Sequence, residues 1–69
     1  MTLAEVISAS HTDDMVIYEG YHGDKQLPIV TLKYGDGKIP TVIEQYGNRE
    51  VCIIEAVDYD LHIWIDEKE

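Results

Sequence analysis

Positive charge is scarce in this chain: five Lys plus Arg stand against fourteen Asp plus Glu, a formal charge of -9. That balance repels nucleic-acid phosphates and anionic membrane surfaces, so no direct nucleic-acid or membrane partner is expected. Cysteine is nearly absent as well. A single cysteine, Cys52, cannot close an internal disulfide, whereas a small secreted domain usually needs several. A reducing, cytoplasmic setting is the expectation. No stretch approaches about 18 continuous apolar residues, and the opening MTLAEVISASHTDD has neither the basic n-region nor the apolar h-region of a signal peptide. Nothing in the sequence directs the chain to or through a membrane. Proline and glycine, at two and five residues, are too sparse and too scattered to mark a linker.

What is present is enough to fold. Hydrophobic residues make up 45%, too many for a disordered chain, and 69 residues allow one small acidic domain spanning 1–69. A chain of this length buries only about 60% of the surface its unfolded form exposes, so its core is small. The acidic residues run from Glu5 and Asp13 to Asp66, Glu67 and Glu69 rather than collecting in a tail, the pattern of a solvated surface.

Thr2 followed three residues later by Glu5 is a capping box, and Leu3, Val6 and Ile7 then recur at helical spacing, predicting a first helix over residues 2–10. His11, Thr12, Asp13 and Asp14 break it, because short polar side chains compete for backbone hydrogen bonds. Residues 15–21 and 27–34 are rich in β-branched and aromatic side chains and read as a first hairpin, with Gly20 and HGDKQ as the turn region. Pro28, lacking an amide hydrogen, belongs at a strand start or edge. Over residues 40–46, Pro40, a Thr41-to-Glu44 capping pattern and the Gly47 stop favour a second helix, while Thr-Val-Ile favours a strand.

The helix reading predicts an α+β fold in two layers, helix-hairpin-helix-hairpin (αββαββ), with both helices on one face of a four-stranded antiparallel sheet. A shift of 36 residues brings Val6 onto Val42, Ile7 onto Ile43, Ile17 onto Ile53, Glu19 onto Glu55, Asp24 onto Asp60 and Ile29 onto Ile65. Small β-rich chains produce such matches by chance, and their main use is to suggest that architecture. The strand reading makes Asp36-Gly37 a hairpin turn and gives the alternative, an N-terminal helix followed by a five-stranded SH3-like or Sm-like barrel.

The last hairpin, VCIIEAVDYDLHIWID, holds the only cysteine, the only tryptophan and one of three histidines. With Tyr59-Asp60 as its loop, or a four-residue loop over 58–61, Ala56 meets Ile63 and Ile54 meets Ile65. One face then carries Cys52, Ile54, Ala56, Ile63 and Ile65, with Leu61 at its end, and reads as core. The other carries Val51, Ile53, Glu55, Val57, His62, Trp64 and Asp66, too apolar for plain solvent. Trp64, His62, Val51, Ile53 and Val57 are therefore the candidate protein-contact residues.

Chemistry finds little support. Cys52 on a core face is a small hydrophobe without a nearby base. His11, His22 and His62 lie in different contexts, without H-x-x-x-H spacing or a cysteine pair, so neither a metal site nor a cofactor is expected. YGDGK (residues 34–38) lacks the length and the Ser or Thr of a phosphate loop, and Asp58-Tyr59-Asp60 lacks the further acids of a calcium loop; both read as turns. Acid–base catalysis needs carboxylates converging in a pocket, for which so short a domain has little volume, so the chain is read as no enzyme.

TLAEVI, DMVIYEG, and IP leading to NREVCIIEAVDYDLHIWID resemble small acidic proteins of Firmicutes bacteria and their phages and mobile elements. The YHGDKQLP and TVIEQYGN stretches depart from the shorter forms of those proteins. The resemblance implies the same order of elements and a bacterial or phage cytoplasmic setting, and carries over no functional residue. Two function classes follow from the residues. One is an interaction or assembly protein, a homodimer that meets its partner through the Trp64 face. The other is a phage-type inhibitor that mimics nucleic acid, with Asp13, Asp14, Glu19, Asp24, Asp58, Asp60 and Asp66 standing for phosphates against a basic host protein such as a restriction or CRISPR nuclease.

Overall fold

The structure is a computed structural model that describes residues 1–10, 14–23 and 25–67. Expectations resting on His11, Thr12, Asp13 or Asp24 lie outside the described residues. The elements are α1 (Leu3–Ala9), β1 (Asp14–Glu19), β2 (Val30–Leu32), α2 (Ile39–Tyr46), β3 (Val51–Val57) and β4 (Asp60–Ile65). The expected order of two helices and two hairpins is present.

Helix α1 begins at a complete capping box: the Glu5 amide donates to Thr2 Oγ1 at 3.4 Å, and the Thr2 amide donates to Glu5 Oε1 at 2.8 Å. The amides of Leu3 and Ala4 donate to the carbonyls of Arg49 and Gly47, at 2.9 and 3.0 Å. The loop after α2 thus satisfies two amides that a helix start leaves without partners. Helix α2 has Pro40 in its first turn, where a missing amide hydrogen costs nothing, and no side-chain cap. Gly47 closes α2 with an ordinary right-handed φ of -59°, and a Cβ there would collide with the Ile43 carbonyl oxygen. Space, not backbone freedom, requires glycine at this point.

The sheet order is β2-β1-β4-β3, and the sheet is mixed and open. The hairpin pairs β1–β2 and β3–β4 are antiparallel, but the central strands β1 and β4 run parallel, with Ile17 opposite Ile63 and Tyr18 opposite Trp64. This corrects the all-antiparallel expectation. Because α2 carries the chain across the helical face from β2 to β3, which lie at opposite edges, the second hairpin enters through the far edge and returns with β4 beside β1 and running in its direction. Residues 40–46 being helical and the sheet unclosed, the barrel alternative is overturned. The 36-residue match pairs central β1 with edge strand β3, which run in opposite directions, and sets fully buried Ile17 against half-exposed Ile53. The match is repeated in packing only in the helices, where Val6 and Val42 are both buried, and not in the strands.

Both helices lie on one face. Leu3, Val6 and Ile7 of α1 and Val42 of α2 pack on Met15, Ile17, Leu32, Ile63 and Ile65, and all nine are buried. Full burial of each such side chain stabilises by about 1.5–3 kcal/mol relative to exposure, and partly buried Val30, Ile39, Ile43, Tyr46, Val51 and Leu61 pack around this cluster. Arg49 ties its margin together: Nε donates to Asp66 Oδ1 at 2.9 Å and an Nη donates to Glu19 Oε2 at 2.8 Å, joining the ends of β4 and β1. Burial works against the guanidinium charge, but the bonds to Glu19 and Asp66 outweigh it and hold the Arg49 pKa above its ordinary value. Among the described residues no helix is long and apolar enough to cross a membrane.

Candidate functional site

The second hairpin closes through Asp58 and Tyr59, with Asp58 at a φ of 56°, so Ala56 faces Leu61 and Ile54 faces Ile63. The register is two residues shorter than the predicted one. A shift of two preserves the face of every side chain, so the predicted division of β4 holds: Ile63 and Ile65 are buried in the core, and His62 and Trp64 look out on the sheet face that the helices leave open.

The predicted core face of β3 does not hold. Because β3 is an edge strand that the helices do not cover, Cys52, Ile54 and Ala56 are exposed, Ile54 at 45%. Cys52 is no buried hydrophobe. It sits where the register shifts between Val51 and Ile53, and the bulge also moves Val51 to the helical side, opposite Ile65 and against the core. Of the five contact candidates, Ile53, Val57, His62 and Trp64 share the open face, and Val51 does not.

The open face is more aromatic than the last hairpin alone suggests. Tyr18, the parallel partner of Trp64, stacks on the indole with centroids 4.6 Å apart and planes at 11°. His62 lies 5.7 Å from Tyr18 at 19°, and Tyr18 Oη and His62 Nδ1 are hydrogen-bonded at 2.9 Å. Tyr21, just past β1, stands at 57° to the indole with centroids 5.7 Å apart. Trp64 is only 9% exposed, so it is a floor rather than a projecting anchor.

Tyr21, Gly23 and Gln26, which follow β1, wall one end, and Gln26 anchors this wall. Gln26 Oε1 accepts from Trp64 Nε1 at 3.2 Å and from the His22 amide at 3.0 Å, while Nε2 donates to the carbonyls of Glu19 and Gly20 at 2.9 and 2.5 Å. All four of its hydrogen-bonding positions are used. His22 Nε2 meets Glu67 Oε2 at 2.5 Å. Between this wall and β3 lies a cavity of about 300 Å³ lined by Tyr18, Tyr21, Gln26, Glu55, His62 and Trp64, with Ile53 and Val57 at the β3 side.

Tyr18, Tyr21 and Gln26 escaped the sequence reading. The signal for Tyr18 was present in the alternation of β1, where Val16 and Tyr18 interleave with buried Met15 and Ile17, but its meeting with Trp64 depends on a parallel pairing that alternation does not specify. Gln26 carries no periodic signal. Among the described residues no three His, Cys, Asp or Glu side chains converge on a point that could hold a metal ion. Comparison with protein-family models, with curated proteins and with solved structures finds no match to this chain.

Proposed function

We propose that the chain is a non-enzymatic protein-interaction module that self-associates through the edge of β3. The observation that carries this reading is that the longest strand of the sheet stands at its edge with apolar side chains exposed on both faces: Ile53 at 39%, Ile54 at 45% and Val57 at 39%. Natural proteins guard such edges with lysine, proline or short strands, and β3 has neither residue. Its bulge lies at one end, and among the described residues the chain start covers that end alone: Thr2 is bridged to Glu50, and the Val51 amide donates to the Met1 carbonyl at 2.8 Å. The opposite edge, β2, is three residues long.

A second copy fits this edge because the strand is complementary to itself. A two-fold antiparallel pairing centred on Ile54 sets Glu55, the one charged side chain of the strand, opposite Ile53 of the partner rather than opposite another carboxylate. The indole of Trp64 then supports Ile53 from within each copy, these two residues being paired across β3 and β4. Light scattering tests this. A dimer that holds or strengthens as salt screens the -9 charge, and that becomes a monomer on Ile54→Lys, is the expected result. The nucleic-acid-mimic reading predicts instead a monomer that binds a basic protein with an affinity falling steeply as salt rises.

A further inference from the structure

We infer that the cavity on the open face is a binding site for an organic cation, an alkylated ammonium head whose charge faces the rings and Glu55. Edge pairing of β3 leaves this face open, so the inference does not rest on self-association.

Tyr18 Oη and His62 Nδ1 bond each other, and Trp64 Nε1 is held by Gln26, whose own positions are full. These three polar tips are consumed within the protein, and the cavity lining mixes ring and aliphatic surface with polar groups that include the Glu55 carboxylate. Tyr21 and Trp64, at 57°, form a corner rather than a flat stack. A cation near aromatic faces is attracted by the ring quadrupole, and Trp and Tyr serve best.

The second element is charge. Glu55 lines the same cavity, and no described cation pairs with its carboxylate: Lys33 and Lys38 lie beside Asp14 and Asp36, Arg49 is engaged by Glu19 and Asp66, the N-terminal ammonium meets Glu50, and Lys25 forms no ion pair with it. A carboxylate beside rings repels an anion and attracts a cation more strongly than a neutral ligand of the same shape. The -9 charge of the whole chain adds a field that draws cations toward it. At about 300 Å³ the cavity is at the small end of ligand sites, suited to one side-chain head or a small amine.

The test uses choline and its neutral carbon isostere 3,3-dimethylbutan-1-ol, titrated against the intact chain while the Trp64 Nε1–H resonance is followed by NMR. The expected result is saturable binding of choline in the millimolar range, with the isostere about tenfold weaker. Glu55→Gln should weaken choline several-fold and leave the isostere unchanged, and Tyr21→Ala, at an exposed position, should weaken choline too. A peptide carrying trimethyllysine separates the sources of such a head: tighter binding than choline assigns the site to a protein side chain, and equal binding to a free amine. Equal affinity for choline and the isostere, or no saturable shift with choline while Trp64 Nε1–H stays dispersed, overturns the inference. Either outcome leaves the light-scattering result for the β3 edge unaffected.

Discussion

Replacing Trp64 by alanine removes an indole that is 9% exposed, stacks on Tyr18 at 4.6 Å and donates to Gln26. Truncating a large buried aromatic costs about 3–5 kcal/mol. The open cavity beside the ring lets water and neighbours fill part of the space, which places this case near the lower end, about 3 kcal/mol. Against that loss, a domain of 69 residues has a total stability of about 3–10 kcal/mol at typical values per residue. With a urea dependence of about 1 kcal/mol per molar for so small a chain, the midpoint should fall by about 3 M. Far-ultraviolet circular dichroism is the assay, because Trp64 is the only tryptophan and fluorescence is lost with it. Trp64→Phe keeps a ring over Tyr18 but loses the bond to Gln26, and should cost about 1 kcal/mol. A Trp64→Ala chain within 0.5 kcal/mol of the parent would refute the view that this ring holds the open face together. Loss of binding in that variant would therefore report unfolding, and for this reason the interface test uses Ile54.

Three further outcomes follow from the geometry. Arg49→Met leaves Glu19 and Asp66 without their shared cation and should cost about 1.5–3 kcal/mol in urea denaturation; an unchanged midpoint would show the bridge to be idle. The Thr2 amide and hydroxyl lower the Glu5 pKa below its ordinary 4.5, and the amides of Lys38 and Lys33 lower that of Asp36 below its ordinary 3.8. Their contribution is complete above about pH 4.5 and is lost as pH falls through the lower folded-state values, because there the unfolded chain binds more protons; Glu5→Gln should flatten that acid slope, and an identical slope would count against the capping box. Gly47→Ala drives a methyl into the Ile43 carbonyl and should cost about 1–3 kcal/mol by thermal melting, where an unaltered Tm would mean the turn gives way freely.

Much of this fold is legible in local pattern. Thr2 and Glu5 with the spacing of Leu3, Val6 and Ile7 locate α1, because capping and helical periodicity are properties of adjacent residues; Pro40 and Gly47 favour α2 without excluding a strand, and the Thr41-to-Glu44 pattern does not cap that helix, which begins at Ile39 with no side-chain cap. The alternation of Ile63 and Ile65 with His62 and Trp64 likewise survives a two-residue error in register, since strand periodicity repeats every second residue. What escapes is non-local. No pattern in MVIY or LHIW records that β1 and β4 lie side by side and parallel, and that pairing brings Tyr18 onto Trp64. The exposure of Cys52, Ile54 and Ala56 was hidden for the same reason: an apolar alternating strand reads as core whether it lies at the centre of a sheet or at its edge. The site itself was half visible, in His62, Trp64, Ile53 and Val57, while the loop residue that seats the indole, Gln26, looked like any turn residue.

The claim that β3 is a pairing edge is tested most directly by amide hydrogen exchange across Val51–Val57 at high and low protein concentration. Edge pairing predicts that the β3 amides bonded neither to β4 nor, as Val51 is, to the Met1 carbonyl are protected at high concentration and lose that protection on dilution, while those bonded within the chain stay protected throughout. Rapid exchange of the outward amides at every concentration would contradict it.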